Sequence, residues 1–272
     1  MPDPASLLWR RGSDARVMLA AGYALLLQVA HPTVGAGVTD HSSFRRDPWG
    51  RLLRTLDFTC TMVYGGPGAA REMGRRIRAM HVGIKGRRPD GRSYDALEPD
   101  AYAWVHATLA EGIVAAHERF GRPLAPAERQ RLWAEWRSLG DLLGVDADEL
   151  PVDWSRFRDY FDAMTRETLA HTAAVDEVLD ALARPVPPAL AALYRPIWPL
   201  VRMPAGHLIG LATAGLLPPQ LRVRLGVPWG RRRAAELGLA SAALRAATPL
   251  MPQALRITGP GYLQWRAGGV PR

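Results

Sequence analysis

An all-α fold is predicted for this chain by three observations. Apolar residues recur at helical spacing in one segment after another, strict alternation of apolar and polar residues is scarce, and turns rich in Pro and Gly divide the segments. The chain has 272 residues, 48% of them hydrophobic, which is ample for a core; residues 1–272 are read as a single helical domain without internal repeats.

Ser13 and Asp14 begin the first strong helical pattern, which carries Val17, Met18, Ala21, Leu25 and Gln28 toward His31, where Pro32 interrupts it. The small-residue stretch TVGAGV follows, and its glycines allow another backbone or a flat ligand to approach closely. His31 and His41 flank this break, and each taken alone reads as a structural histidine. Asp47 and Pro48 then make a helix entry, with Asp as the cap and Pro at the first helical position.

From Pro48 to Val63 the helix is apolar on most sides, and such a helix is usually buried. Arg51, Arg54, Thr55, Phe58 and Met62 share one arc, while Leu52, Leu56, Thr59 and Val63 fill the next. A buried arginine keeps its proton and needs an anionic partner. Asp57 can pair with Arg54 but lies about 120° around the helix from Arg51. Two readings stand: the arginines snorkel at an exposed helix end, or they face a ligand that bears carboxylates.

After the turn Gly65-Gly66-Pro67, a second helix is expected over Gly68–Ile84, with Met73, Ile77, Met80 and Ile84 as its apolar stripe and His81 at the edge of that stripe. A satisfied core histidine and an iron ligand would both sit there, beside polarizable apolar side chains. The stretch KGRRPDGRSYDALEPD reads as an ordered excursion or short hairpin. Glu98-Pro99 starts a third helix with Tyr102, Leu109, Ile113 and Ala116 on one face and His106 and His117 near it. A helix from Pro126 to Leu143 holds Trp133 and Trp136 and stops at Gly144. A longer one is expected from Ser155 to about Leu182, containing Arg166 and His171 and ending before RPVPP. The C-terminal part, 185–272, is helical patches divided by Pro196, Pro199, Pro204, Pro218, Pro228 and Pro249.

Several chemistries are excluded by what the chain lacks. It has no HExxH, CxxC, P-loop or GxSxG pattern, and GAGVTD misses the third spaced Gly of a dinucleotide fingerprint. The single cysteine, Cys60, lies on the Leu52/Leu56 side of its helix and reads as core, so no disulfide framework exists. The basic residues behind the formal charge of +9 are spread through several segments, with clusters at Arg75, Arg76 and Arg78, at Lys85, Arg87 and Arg88, and at Arg231 to Arg233. No nucleic-acid-binding motif accompanies these clusters, so they read as solvated basic faces, with peripheral membrane contact as the other use. The N-terminus shows no signal-peptide order, and the apolar run Val17 to Ala30 is shorter than a membrane span and contains Gln28; a soluble cytoplasmic protein is expected.

The succession LLLQVAHPTVGAGVTDHSSFRRDPWGRLLRT, then YG, MHVGIKGRRPDGRSYDA, WVHATL and ELP, over residues 10–165, resembles the family that joins latex-clearing rubber oxygenases with the mycophenolic-acid-pathway oxygenase. The resemblance implies a globin-like helical core, a non-covalent b-type haem with its iron, and dioxygen chemistry. His81 in MHVGIKG matches the proximal iron ligand, and Arg51 and Thr55 in RLLRT match polar residues on the other face of the haem. Arg54 stands where the rubber oxygenases have a lysine able to close off the iron. Arginine is a poor iron ligand, which departs from that closed state. The glutamate those enzymes place upstream has no counterpart here, because the chain has no Glu before Glu72, and polyisoprene cleavage by that mechanism is not expected. Haem propionates are anions of the kind that Arg51 or Arg54 would need. His31 and His106 are kept as further cofactor-binding candidates.

Two function classes follow. One is a haem-dependent oxygenase acting with dioxygen on an apolar small molecule, with Arg51, Arg54 and Thr55 near the reacting atoms. The other is a haem-binding, structural or sensor protein without turnover.

Overall fold

The computed structural model describes residues 2–41, 48–185 and 198–268. Among them are the helices α1 (Leu7–Gly12), α2 (Ala21–Val29), α3 (Pro32–His41), α4 (Pro48–Tyr64), α5 (Gly66–His81), α6 (Pro99–Phe120), α7 (Pro126–Leu143), α8 (Trp154–Ala163), α9 (Ala173–Ala183), α10 (Trp198–Leu216), α11 (Pro219–Arg224), α12 (Arg231–Ala247), α13 (Gln253–Arg256) and α14 (Gly259–Arg266). Two three-residue strands, β1 (Lys85–Arg87) and β2 (Ser93–Asp95), form an antiparallel hairpin with Gly86 opposite Tyr94. The all-α expectation holds, and the hairpin falls in the excursion anticipated for it.

Helix α6 is the centre of the packing. Sixteen of its 22 residues are buried, so it is covered on every side rather than on one stripe. It packs against α2, α7, α12 and the 3-10 turn Ala15–Ala20. Indole N–H groups tie the neighbours together: Trp104 Nε1 donates to the Leu27 carbonyl and Trp136 Nε1 to the His106 carbonyl, each at 2.9 Å. Most of the buried apolar residues form one cluster running from Leu7 to Leu237.

Helix boundaries follow local chemistry where local chemistry is strong. Asp14 caps its 3-10 turn by accepting from the Arg16 amide, Pro99 and Pro126 sit at first helical positions, and α7 stops at Gly144, whose φ of 69° favours glycine. The expected cap Asp47 lies outside the described residues, as do residues 186–188 of RPVPP, and Pro196.

Three expectations are corrected. Pro32 does not merely interrupt; it opens α3, and TVGAGV is helical. Gly35 there passes so close to α2 that a Cβ would lie 2.6 Å from the Val29 carbonyl oxygen, which bears out the close approach. Second, the helix with His81 spans Gly66–His81, so Ile84 lies beyond its end, where its carbonyl accepts from the Ala96 amide. Third, the long helix expected over Ser155 to Leu182 is broken. A π-helical turn, Met164–Thr168, is followed by extended backbone to Thr172. The carbonyls at the end of α2 draw this segment in, because the chain bends by 102° into α3 and the helix does not run on to supply their donors. Ala170 N–H donates to the Ala30 carbonyl and the Thr172 hydroxyl to that of Val29, at 2.9 and 2.7 Å. Arg224 then donates to the carbonyls of Thr165, Arg166 and Leu169.

Asp57 also goes elsewhere than expected. It accepts from Tyr262 and Arg266 of α14, at 2.7 Å each, which fastens the C-terminal helix to α4. Many of the basic clusters are engaged locally, with Lys85 on Asp95, Arg88 on Asp90 and Arg232 on Glu236. No single described helix is long and apolar enough to cross a membrane.

Candidate functional site

Helix α4 leads into α5 through Gly65 alone, and the first residue of α5, Gly66, has a φ of 80°, where glycine is favoured. The tight link packs the two helices against each other. With α3, α6 and α7 they line a cavity of about 400 Å³, within the range of small-molecule sites. Arg51, Arg54, Thr55, Phe58 and Met62 line it from α4, and Ile77, Met80 and His81 from α5, so the first arc of α4 and part of the α5 stripe face one space.

Half-buried His81 is held in a defined orientation. Its Nδ1 lies 2.7 Å from the carbonyl oxygen of Ile77, and its ring meets Tyr102 edge-on with centroids 5.7 Å apart. A carbonyl only accepts, so Nδ1 carries a proton, and the tautomer this selects has its lone pair on Nε2, the arrangement of a ligating histidine fixed by a backbone hydrogen bond.

Arg51 is half-buried and Arg54 exposed on the same wall. Desolvation and the neighbouring Arg54 charge both push the Arg51 guanidinium down from its ordinary value. An anion placed beside the two would relieve both costs. Thr55 donates its hydroxyl proton to the Arg51 carbonyl at 3.0 Å, leaving its lone pairs for a ligand.

The structure separates the remaining histidines. His106 lines the cavity, stacks on Trp136 at 5.3 Å and approaches the Trp136 carbonyl with Nε2 at 3.1 Å; burial pushes its pKa down to about 4. His31 is buried but does not line the cavity; its Nε2 lies 3.8 Å from Asp100, and desolvation lowers its pKa. His117 contacts the Arg11 carbonyl and His171 contacts Asp176, both away from the cavity. His41, read as structural, lines the wall with its Nε2 3.2 Å from the Lys85 carbonyl. Tyr94 and Gln28 are lining residues that the sequence reading did not select. Gln28 alone left a signal there, as the polar break in the run Val17 to Ala30.

A second cavity, of about 360 Å³, lies on the other side of α4. Leu52, Leu56 and Val63, the other arc of that helix, line it, and Gln28, Arg51, Thr55, Thr59, Leu109 and Trp136 line both spaces. Helix α4 is thus a partition, apolar on two sides because it faces two cavities. Among the described residues, no Asp or Glu lines either one.

Among the described residues, no group of three or more His, Cys, Asp or Glu side chains is placed to hold a metal ion. A lone imidazole suits a metal that arrives with its other ligands already attached, within a flat apolar frame.

Comparison with known proteins agrees with this picture at the level of family. The profile described as "ER-bound oxygenase mpaB/B'/Rubber oxygenase, catalytic domain" matches residues 9–248. The chain is 26% identical over 239 residues to an uncharacterized protein of Mycobacterium bovis and, equally, to one of Mycobacterium tuberculosis, covering 86% of this chain and 90% of each relative. No solved structure matches it.

Proposed function

Since this chain belongs to the family of mpaB/B′ and rubber oxygenase catalytic domains, we propose that it is a haem b-dependent oxygenase that acts with dioxygen on an apolar small molecule, in a globin-like helical pocket. The observation that carries the reading is His81. Its Nδ1 is held by the Ile77 carbonyl at 2.7 Å, at the edge of an apolar cavity whose α4 wall brings Arg51 and Arg54.

The residues present fit the group. His81 Nε2 would be the protein's one bond to iron, the apolar side chains Phe58, Met62 and Ile77 would flank the macrocycle, and an arginine would meet a propionate. Bound haem supplies the redox-active iron at which dioxygen is activated. The chain's own residues then orient and protect. Arg51 donates hydrogen bonds toward negative charge that develops in the reaction, Thr55 accepts from a neighbouring donor, and the apolar walls exclude water. Attachment is non-covalent, because the sequence has no CxxCH.

The purified protein, titrated with haemin, should develop a Soret band, and acid-acetone should extract the pigment. His81→Ala should abolish or greatly weaken haem retention, whereas His117→Ala and His171→Ala should retain it near wild type. A chain that shows no Soret band after titration would falsify the proposal. Haem retention without oxygen consumption, across apolar substrates, would select the binder or sensor class instead.

A further inference from the structure

We propose that the wall shared by the two cavities is a hydroxyl-binding site with the amide oxygen of Gln28 as its fixed acceptor. The molecule it takes carries an alcohol or phenol group on an apolar body. Its use in a reaction rests on the oxygenase reading, whereas its binding chemistry rests on the hydrogen bonds around Gln28.

Gln28 breaks an apolar stretch of α2. Leu26, Leu27 and Val29 beside it are fully buried, yet Gln28 is half-buried and lines both cavities. Which end of its amide is offered to them follows from Thr108 on α6. The Thr108 hydroxyl oxygen lies 2.8 Å from the Val105 carbonyl oxygen, and two oxygens so close need a proton between them. A carbonyl carries none, so the proton is that of Thr108. Thr108 can then only accept from Gln28, which assigns the amide nitrogen, Nε2, to the position 3.0 Å from it. The amide oxygen, Oε1, is left facing away from Thr108, with no hydrogen-bond partner among the described residues.

The hydroxyls on the same wall have their protons engaged as well. Thr55 donates to the Arg51 carbonyl at 3.0 Å and Thr59 to the Thr55 carbonyl at 2.9 Å, so toward a bound molecule both are acceptors. Arg51, which also lines both cavities, can only donate. A hydroxyl group meets these neighbours with a single atom, giving its proton to Gln28 Oε1 and offering its oxygen lone pairs to the guanidinium. An ether or ketone brings no proton, an ammonium group brings no lone pair, and a carboxylate pairs with Arg51 but leaves Oε1 unmet.

Equilibrium dialysis of the full-length protein, with and without haem, would compare 2-naphthol with 2-methoxynaphthalene, which keeps the rings and the oxygen but has no proton to give. Wild type should bind the naphthol roughly tenfold more tightly. Gln28→Leu removes the acceptor while keeping an apolar side chain of similar size, and should bring the two affinities within about twofold of each other. Thr108→Val keeps the side-chain shape but frees the Gln28 amide to turn, so the ratio should fall roughly threefold although Gln28 itself is intact. Equal binding of the two compounds by wild type, or no binding of the naphthol, would overturn the site, as would a wild-type ratio in Gln28→Leu. Should Gln28→Leu fail to fold, an unchanged ratio in Thr108→Val overturns it alone. If wild type forms no Soret band yet prefers the naphthol through Gln28, the site stands and the oxygenase reading falls. A Soret band without the preference removes the site and keeps the oxygenase reading.

Discussion

Arg51 and Arg54 are three residues apart on one helical face, yet only one of them borders both cavities. That difference separates their expected behaviour. Arg54→Lys places a side chain that can lose its proton in the cavity shared with His81, so a six-coordinate, low-spin ferric spectrum should grow in as pH rises toward 10. Arg51→Ala should lower turnover while most haem is retained, because a donor aimed at developing charge acts on the reaction more than on binding. Wild-type spectra for Arg54→Lys across pH 7 to 10, together with haem loss in Arg51→Ala, would assign both arginines to propionates or to the fold. His106 gives a stability prediction. An exposed imidazole takes a proton near 6.5, whereas buried His106 does so only near 4, so the unfolded chain binds the extra proton between these values. Stability is therefore lost as pH falls through that window, by up to about 3 kcal/mol. Glu111, pushed up to about 7 by burial, works in the opposite sense from its usual 4.5, so the comparison must be between variants. His106→Gln should make the fall between pH 7 and pH 5 about 2 kcal/mol smaller than in wild type, read by urea unfolding. His81 was legible as the inward edge of an apolar stripe. That His106 and not His31 reaches the cavity was not legible, since spacing along a helix does not say what lies opposite.

At the scale of elements, α5 is positioned by a residue without a side chain. A Cβ on Gly74 would lie 2.2 Å from the Leu142 carbonyl oxygen of α7, a backbone atom that cannot swing aside. Gly74→Ala should therefore push α5 away from α7 and cost about 1–3 kcal/mol. His81 ends that same helix, so haem affinity should fall as well; denaturant unfolding of the haem-free protein and a haemin titration measure the two effects. A wild-type unfolding curve would mean the helices separate freely. The helix ends at Tyr64 and Leu143 were visible as turn and glycine signals. The interruption between α8 and α9 was not, because residues 155–182 carry a continuous helical pattern. The cause lies elsewhere in the chain, in the α2 carbonyls that Ala170 and Thr172 cap.

Across the whole molecule, a helix buried on every side, α6, forms one wall of both cavities, and α4 divides them. The chain folds back on itself at its ends: Thr258 N–H donates to the Ser13 carbonyl at 2.8 Å, and α14 holds Asp57 of α4. By itself the sequence determined the helical class, the starts of α4, α6 and α7, the stops of α4 and α7, and the two arcs of α4. Those features depend on residues within a turn or two of one another, where capping, proline geometry and periodicity act. Its ordered motifs also carried the family. Only the tertiary structure decided that the two arcs face two separate spaces, that Asp57 serves α14, and that backbone from Leu169 to Thr172 leaves the helix. The last two of those outcomes pair groups more than a hundred residues apart, and such pairs form only once packing has removed the water that would otherwise satisfy them.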